Sequence, residues 1–224
     1  MTTGGAVAGC SGSSSADEPS AEQLLDDAND TMKALKSVTV DAKTTTVATG
    51  KGFSSHLTTD LKSTCRSSRT WTDGARLEQI RIGGADYVRP NRAYLELAGK
   101  DVADTGEQKR WVKSPASETA LETEEAGLSD CTRPFSSFGK ATKGEPTEVA
   151  GKPAIPLVVT DKADAGGTYT FYVATKGEPY LLKVVYKGTD YHSTTSFGAF
   201  DEPLDVRPPA DTDVLDASAA RSSG

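Results

Sequence analysis

The feature that most constrains the fold of this chain is a hydropathy period of two, sustained over long stretches. In VTVDAKTTTVAT (38–49), Val38, Val40 and Ala42 fall on one side of an extended strand, and Thr39, Asp41 and Lys43 on the other. In FSSHLTTDLK (53–62), Phe53, Leu57 and Leu61 share a face opposite Ser54, His56, Thr58 and Asp60. Alternation of this kind belongs to antiparallel strands with one dry side and one wet side. Further strands are predicted at 66–72, 75–83, 85–90 and 93–97, punctuated by Gly74, the Gly83-Gly84 pair and Pro90-Asn91. A second run of strands is predicted near 141–149, 153–160, 168–175, 180–187 and 191–200.

Ahead of the first strand the period changes to that of a helix. Leu24, Leu25, Ala28, Met32 and Leu35 recur at helical spacing in AEQLLDDANDTMKALK, and Ser20 with Gln23 forms a capping-box signature at its start. One amphipathic helix is predicted over about residues 21–36. Residues between the two strand runs lack the alternation, so short helices and loops are expected there. From Pro208 onward the composition suggests disorder. The predicted organisation is a leader and tether at 1–19, one folded domain at 20–207 and a disordered tail at 208–224. The fold class is α+β, with a single curved antiparallel sheet and helices covering one face.

Charge excludes one class of partner. The 25 Lys and Arg are outnumbered by 32 Asp and Glu, for a net charge of −7, and the basic residues do not cluster. Nucleic acid is therefore not an expected partner. No apolar run reaches the roughly 18 residues of a membrane span. The three cysteines, Cys10, Cys65 and Cys131, form an odd set, which in an exported protein assigns one cysteine a separate task.

Cys10 has a context that supplies such a task. Val7, Ala8, Gly9 and Cys10 match a bacterial lipobox, in which the cysteine is acylated and becomes the mature N-terminus. Small residues before the cysteine let its backbone and sulfur enter the modifying enzymes. The following SGSSSADEPS is polar and aperiodic, as a tether above lipid headgroups should be. Only nine residues precede Cys10 and none is Lys or Arg, so either a leader begins upstream of Met1 or the motif is accidental and Cys10 is a lone cysteine in a disordered tail. With Cys10 acylated, Cys65 and Cys131 are left as one potential disulfide, joining the first strand run to the central insert.

The ordered series of lipobox, helix, strand run, DYVRP, RWVK, LSDC, GEPTEVAGKPAIPLVV, TFYVATKGEPYLLKVVY and FGAFDEPLDVRPP resembles the LppX/LprG-like group of actinobacterial lipoproteins, within the LolA/LolB-like fold. The resemblance covers about residues 20–209. It implies a half-barrel of about ten antiparallel strands wrapped around helices, with an apolar cavity for acyl chains. It also implies a lipid anchor on the extracytoplasmic face of the cell membrane. On this basis Phe171, Val173, Leu182 and Val184 are expected to wall the cavity, and the helix bearing Leu24, Leu25, Ala28 and Met32 to act as its lid. An ordinary packed core explains the same residues equally well.

No catalytic constellation is legible. His56 and His192 lie on predicted wet faces, and neither has metal-ligand spacing. The nucleophile elbow, the phosphate-binding glycine loops and paired CxxC motifs are missing from the sequence. No catalytic residue, metal or cofactor is expected. Two functions remain: a lipid-anchored carrier or sensor with an apolar ligand inside the half-barrel, or a surface module that binds a protein or the cell wall without a cavity.

Overall fold

The computed structural model describes residue 1 and residues 18–99, 110–116, 128–137, 139–160 and 166–216. Helix α1 spans Ala21–Lys33. The Ser20 hydroxyl accepts from the Gln23 N–H at 3.1 Å, and the Gln23 side chain accepts from the Ser20 N–H at 2.7 Å. Two of the unpaired donors at the helix start are thus satisfied by a reciprocal pair.

Strands β1 (Val38–Thr46), β2 (Gly52–Thr59), β3 (Cys65–Trp71), β4 (Arg76–Ile82) and β5 (Ala85–Pro90) follow as a meander. The β4–β5 hairpin turns at Gly83 and Gly84, with φ of 60° and 74°. A two-residue turn of this kind needs both central residues at positive φ, which glycine adopts without steric penalty. After helix α2 (Arg92–Leu97) come β6 (Trp111–Pro115), β7 (Lys140–Lys143), β8 (Thr147–Val149), β9 (Lys152–Thr160), β10 (Thr168–Ala174), β11 (Leu181–Lys187), β12 (Tyr191–Gly198) and β13 (Val214–Asp216).

All these strands join one open, curved sheet, ordered β13-β6-β5-β4-β3-β2-β1-β12-β11-β10-β9-β7, with β8 also paired to β9. β1 sits mid-sheet and joins the two meanders, pairing β2 on one side and β12 on the other. Every pairing is antiparallel except that of β13 with β6.

Four expectations are corrected. Among the described residues the sheet has thirteen strands rather than about ten, and there are two α-helices. AYLEL is helical, because the Asn91 side chain caps it: Oδ1 accepts from Tyr94 N–H at 2.9 Å and from Arg76 N–H at 2.8 Å. A five-residue alternation is too short to resist such a cap. The central region expected to hold only helices and loops contributes β6, where Trp111 is buried under Arg89, whose guanidinium lies 4.5 Å from the ring. Residues beyond Pro208, expected as disordered, supply β13. The remainder of the central insert at 100–109 and 117–127 lies outside the described residues.

α1 packs its apolar stripe on one face of the sheet, termed inner here. Leu25, Ala28 and Met32 are buried against a cluster that includes Val38, Val40, Leu157, Val159, Phe171, Val173, Leu181 and Phe197. Each large aliphatic side chain so buried stabilises the fold by roughly 1.5–3 kcal/mol. α1 therefore fills the inner face over β7 and β9–β11, while the half over β2–β5 is left to a different element.

Candidate ligand cavity and its strap

The residues expected to line a cavity divide among three environments. Leu25, Ala28, Met32, Phe171 and Val173 are core, with Met32 and Val173 at 0% exposure. Leu24 and Val184 are half-buried at the margin of the same cluster. Leu182 faces the other way, which corrects the expected wall. Phe171 pairs with Val184 and Tyr172 with Lys183, but Val173 pairs with Leu181, so Leu182 is the extra residue of a β-bulge. The bulge turns Leu181 inward and leaves Leu182 on the outer face with Ala154 and Ala174. Strict alternation cannot reveal such a shift, because one inserted residue exchanges the faces of all that follow.

The open volume lies elsewhere on the inner face. A cavity of about 310 Å³ is floored by β1–β4, through Val40, Ala42, Ser55, Leu57, Ser67, Arg69, Leu77 and Gln79. Strand pairing places these side chains in two rows. Val40, Leu57, Ser67 and Gln79 are successive cross-strand partners, and so are Ala42, Ser55, Arg69 and Leu77. None of the eight residues expected from the sequence lines it. Small side chains in both rows, Ala42, Ser55 and Ser67, leave the space open. Beyond the second row stand Phe53 and Trp71, with the Tyr94 ring of α2 tilted against Trp71 at 5.4 Å and the Arg69 guanidinium 4.8 Å from the Phe53 ring.

The cavity is roofed by an irregular segment, residues 128–137, that crosses the inner face as a strap. Cys131 is disulfide-bonded to Cys65 of β3 with a Cα–Cα distance of 5.4 Å, the pairing the cysteine count suggests. Thr59 donates its hydroxyl to the Cys131 carbonyl. On one side of the disulfide Gln79 holds Ser129 by two hydrogen bonds; on the other, Phe135 enters the core 5.9 Å from Phe197, and Asn29 of α1 donates to the Ser137 hydroxyl at 2.7 Å. The strap is therefore tied at four places along its length.

Beneath the strap lies a buried polar network. Gln79 Nε2 also donates to Asp86 Oδ1 at 2.9 Å, and Arg81 meets Asp86 in a two-pronged pair, Nε–Oδ1 2.8 Å and Nη2–Oδ2 2.6 Å. The Asp86 hydrogen bond holds the Arg81 pKa above its ordinary value against the opposing effect of burial, with the charges of Asp86 and Asp130 adding to it. Such a pair is geometrically specific and tolerates the loss of neither partner.

Arg133, like Arg69, is a cation of the cavity wall. Its guanidinium lies 5.4 Å from the Phe197 ring centroid, and burial draws its pKa below the usual guanidinium value. Among the described residues no carboxylate pairs with it. Asp130, also in the wall, is occupied locally, accepting from the Thr132 N–H and hydroxyl at 2.9 Å each. Sequence reasoning missed Gln79, Arg81, Asp86 and Arg133. A signal existed for the first two, since Leu77, Gln79 and Arg81 alternate on one face of β4 and so bring polar groups inside. For Asp86 and Arg133, neither strand pairing nor the path of the strap is visible in sequence.

His56 and His192 both carry exposed side chains, as expected, and His56 Nδ1 lies 2.7 Å from Asp41 Oδ1. Cys10 and the rest of VAGC lie outside the described residues. No described helix is long and apolar enough to cross a membrane.

No protein-family model matches the chain, and no curated protein matches its sequence. Solved structures do match. The lipoprotein LppX from Mycobacterium tuberculosis aligns with a TM-score of 0.52 at 15% identity, over 82% of this chain and 98% of that one. LprF from Mycobacterium bovis aligns with a TM-score of 0.57 at 13% identity, over 85% of this chain and 97% of that one. The chain shares the fold of these two mycobacterial proteins, in keeping with the resemblance in its sequence.

Proposed function

We propose that the chain is a non-catalytic extracytoplasmic binding protein, anchored to the cell membrane through acylated Cys10, that holds a lipid or similar apolar molecule on the inner face of its sheet. The observation that carries this reading is the 310 Å³ cavity left over β1–β4 in a fold shared with LppX. Leu57 and Leu128 offer that cavity partly exposed apolar surface, with Val40 and Leu77 buried at its floor. Its size is at the lower end of small-molecule sites, so it suits one acyl segment rather than a whole multi-chain lipid. Each methylene taken from water contributes about 0.8 kcal/mol, so a short segment already binds measurably. The V-A-G-C motif and its serine-rich sequel support the anchor.

Adding bulk tests the cavity. Ala42→Trp directs an indole into the open space without removing a hydrogen bond. Dodecanol binding by calorimetry should be lost in this variant, with the thermal midpoint little changed. Failure of the wild type to bind dodecanol or any other twelve-carbon amphiphile, together with strong destabilisation of Ala42→Trp, would overturn the reading and favour a module with a solid interior that binds a protein or the cell wall.

A further inference from the structure

We propose that the ligand of this cavity is an anionic amphiphile, whose carboxylate or phosphate pairs with Arg133 while its aliphatic chain lies along Val40, Leu57 and Leu77. The inference rests on the binding function proposed above and names the chemistry of its ligand.

Three observations converge on it. Arg133 lines the cavity with its guanidinium against the Phe197 ring and with no carboxylate partner among the described residues. A ring face attracts the cation but leaves its in-plane N–H donors unmatched. Drawing a charge out of water without an ion partner is costly, and an anion entering the cavity removes that cost. The lowered pKa that burial gives Arg133 reflects the same desolvation.

The second observation is the sign of the wall. Among the described residues Asp130 is the one carboxylate of the wall, and it already accepts two hydrogen bonds from Thr132, while Arg133 has no carboxylate partner there. On a chain of net charge −7 a cation so placed is local placement, not a bulk effect. The third is the distribution of hydroxyls. Ser55 lies in the same wall as the cations and gives a further donor to an oxyanion, whereas the Ser67 and Thr132 hydroxyls already bond Gln79 and Asp130 and Ser68 sits on the opposite face; the leucines supply the apolar lining.

The test compares four ligands of the full chain by calorimetry: laurate, dodecyl phosphate, dodecanol and inorganic phosphate. Laurate and dodecyl phosphate should bind about tenfold or more tighter than dodecanol, as expected of a charge-assisted contact. The better of the two identifies the headgroup as carboxylate or phosphate. The advantage should shrink as salt is raised, whereas dodecanol affinity should not fall. Arg133→Gln should abolish the advantage and leave dodecanol affinity unchanged; Arg133→Lys should restore part of it. Equal affinity for dodecanol and laurate in the wild type would overturn the inference and leave the binding function intact. Binding of inorganic phosphate as tight as that of dodecyl phosphate would overturn it too, since the chain would then contribute nothing. No binding by any twelve-carbon compound would remove the binding function itself. If Arg133→Gln does not fold, the salt dependence of the wild type decides.

Discussion

Gln79 and Ser129 are joined by two hydrogen bonds, side-chain amide to main chain: Nε2 donates to the Ser129 carbonyl at 2.9 Å, and the Ser129 N–H donates to Oε1 at 2.7 Å. A side chain of β4 thereby serves the strap as a neighbouring strand would, satisfying both polar groups of a residue that belongs to no ladder. Gln79 is 1% exposed, and its remaining capacity goes to Asp86 and the Ser67 hydroxyl.

Replacing this side chain should release the strap at one tie. Gln79→Leu leaves the main-chain groups of Ser129 unmatched, which costs about 1–3 kcal/mol on the scale for buried unpaired groups. Chemical denaturation measures the loss. Hydrogen exchange at the Ser129 amide should accelerate by more than that at core amides of β1. Equal acceleration everywhere would show that Gln79 supports the sheet rather than the strap.

The disulfide should matter more. Cys65 and Cys131 are 66 residues apart, and closing a loop of that length restricts the unfolded chain by roughly 4 kcal/mol on the chain-entropy account. The Cys65→Ala/Cys131→Ala double variant is expected to lose stability on that order and to bind cavity ligands more weakly, because the roof loses its central tie. A variant of unchanged affinity would separate the disulfide from the site. Thiol titration of the native protein should detect neither of these two cysteines.

Most of the sheet is legible in the sequence because its strands have one wet face, so Val38, Val40 and Leu57 alternate with Asp41, His56 and Thr58. The capping box of α1 is equally direct. What sequence conceals are decisions made between distant segments. Leu182 changes face because of a bulge set by pairing with β10, and AYLEL becomes helical through a side chain that also binds β4. The cavity was expected where large apolar residues are dense, yet density there means that α1 and β10 fill the space. The opening lies where Ala42, Ser55 and Ser67 are small, a feature with no contrast in a sequence rich in such residues.

Asp60 gives an expectation in pH. Partial burial disfavours its charge, but the N–H groups of Lys62, Ser63 and Thr64, each 2.9 Å from Oδ1, outweigh that and hold its pKa below the usual carboxylate range. A carboxylate lowered in the folded state stabilises above its unfolded pKa, near about 4, and loses that contribution as pH falls through the folded value. Asp60→Asn should therefore be less stable than the wild type at pH 7, by a few tenths to about 1 kcal/mol given solvent screening. The two proteins should converge once pH falls below the folded value. Thermal midpoints across this range decide it, and a gap independent of pH would assign the effect to loop geometry instead.

For the anchor, Cys10→Ala in the native host is expected to shift the protein from the membrane pellet to the soluble fraction. Two or more acyl chains hold a protein firmly, whereas one of myristoyl length holds only marginally. Pelleting of the variant with membranes would show that another part of the chain supplies the attachment.

The pairing of β13 with β6 bears on aggregation. Among the described residues the open sheet has two borders, each a template on which another chain can add a strand. At one border the template is a three-residue strand laid parallel to its neighbour, a short register for an incoming chain to extend. At the other, β7 has four residues and β8 three, with Lys140 at the end of β7 and Lys143 held to Glu18 at 2.8 Å, again a short register for an incoming chain. With borders this short, copies of the chain can meet at high local concentration without polymerising edge to edge.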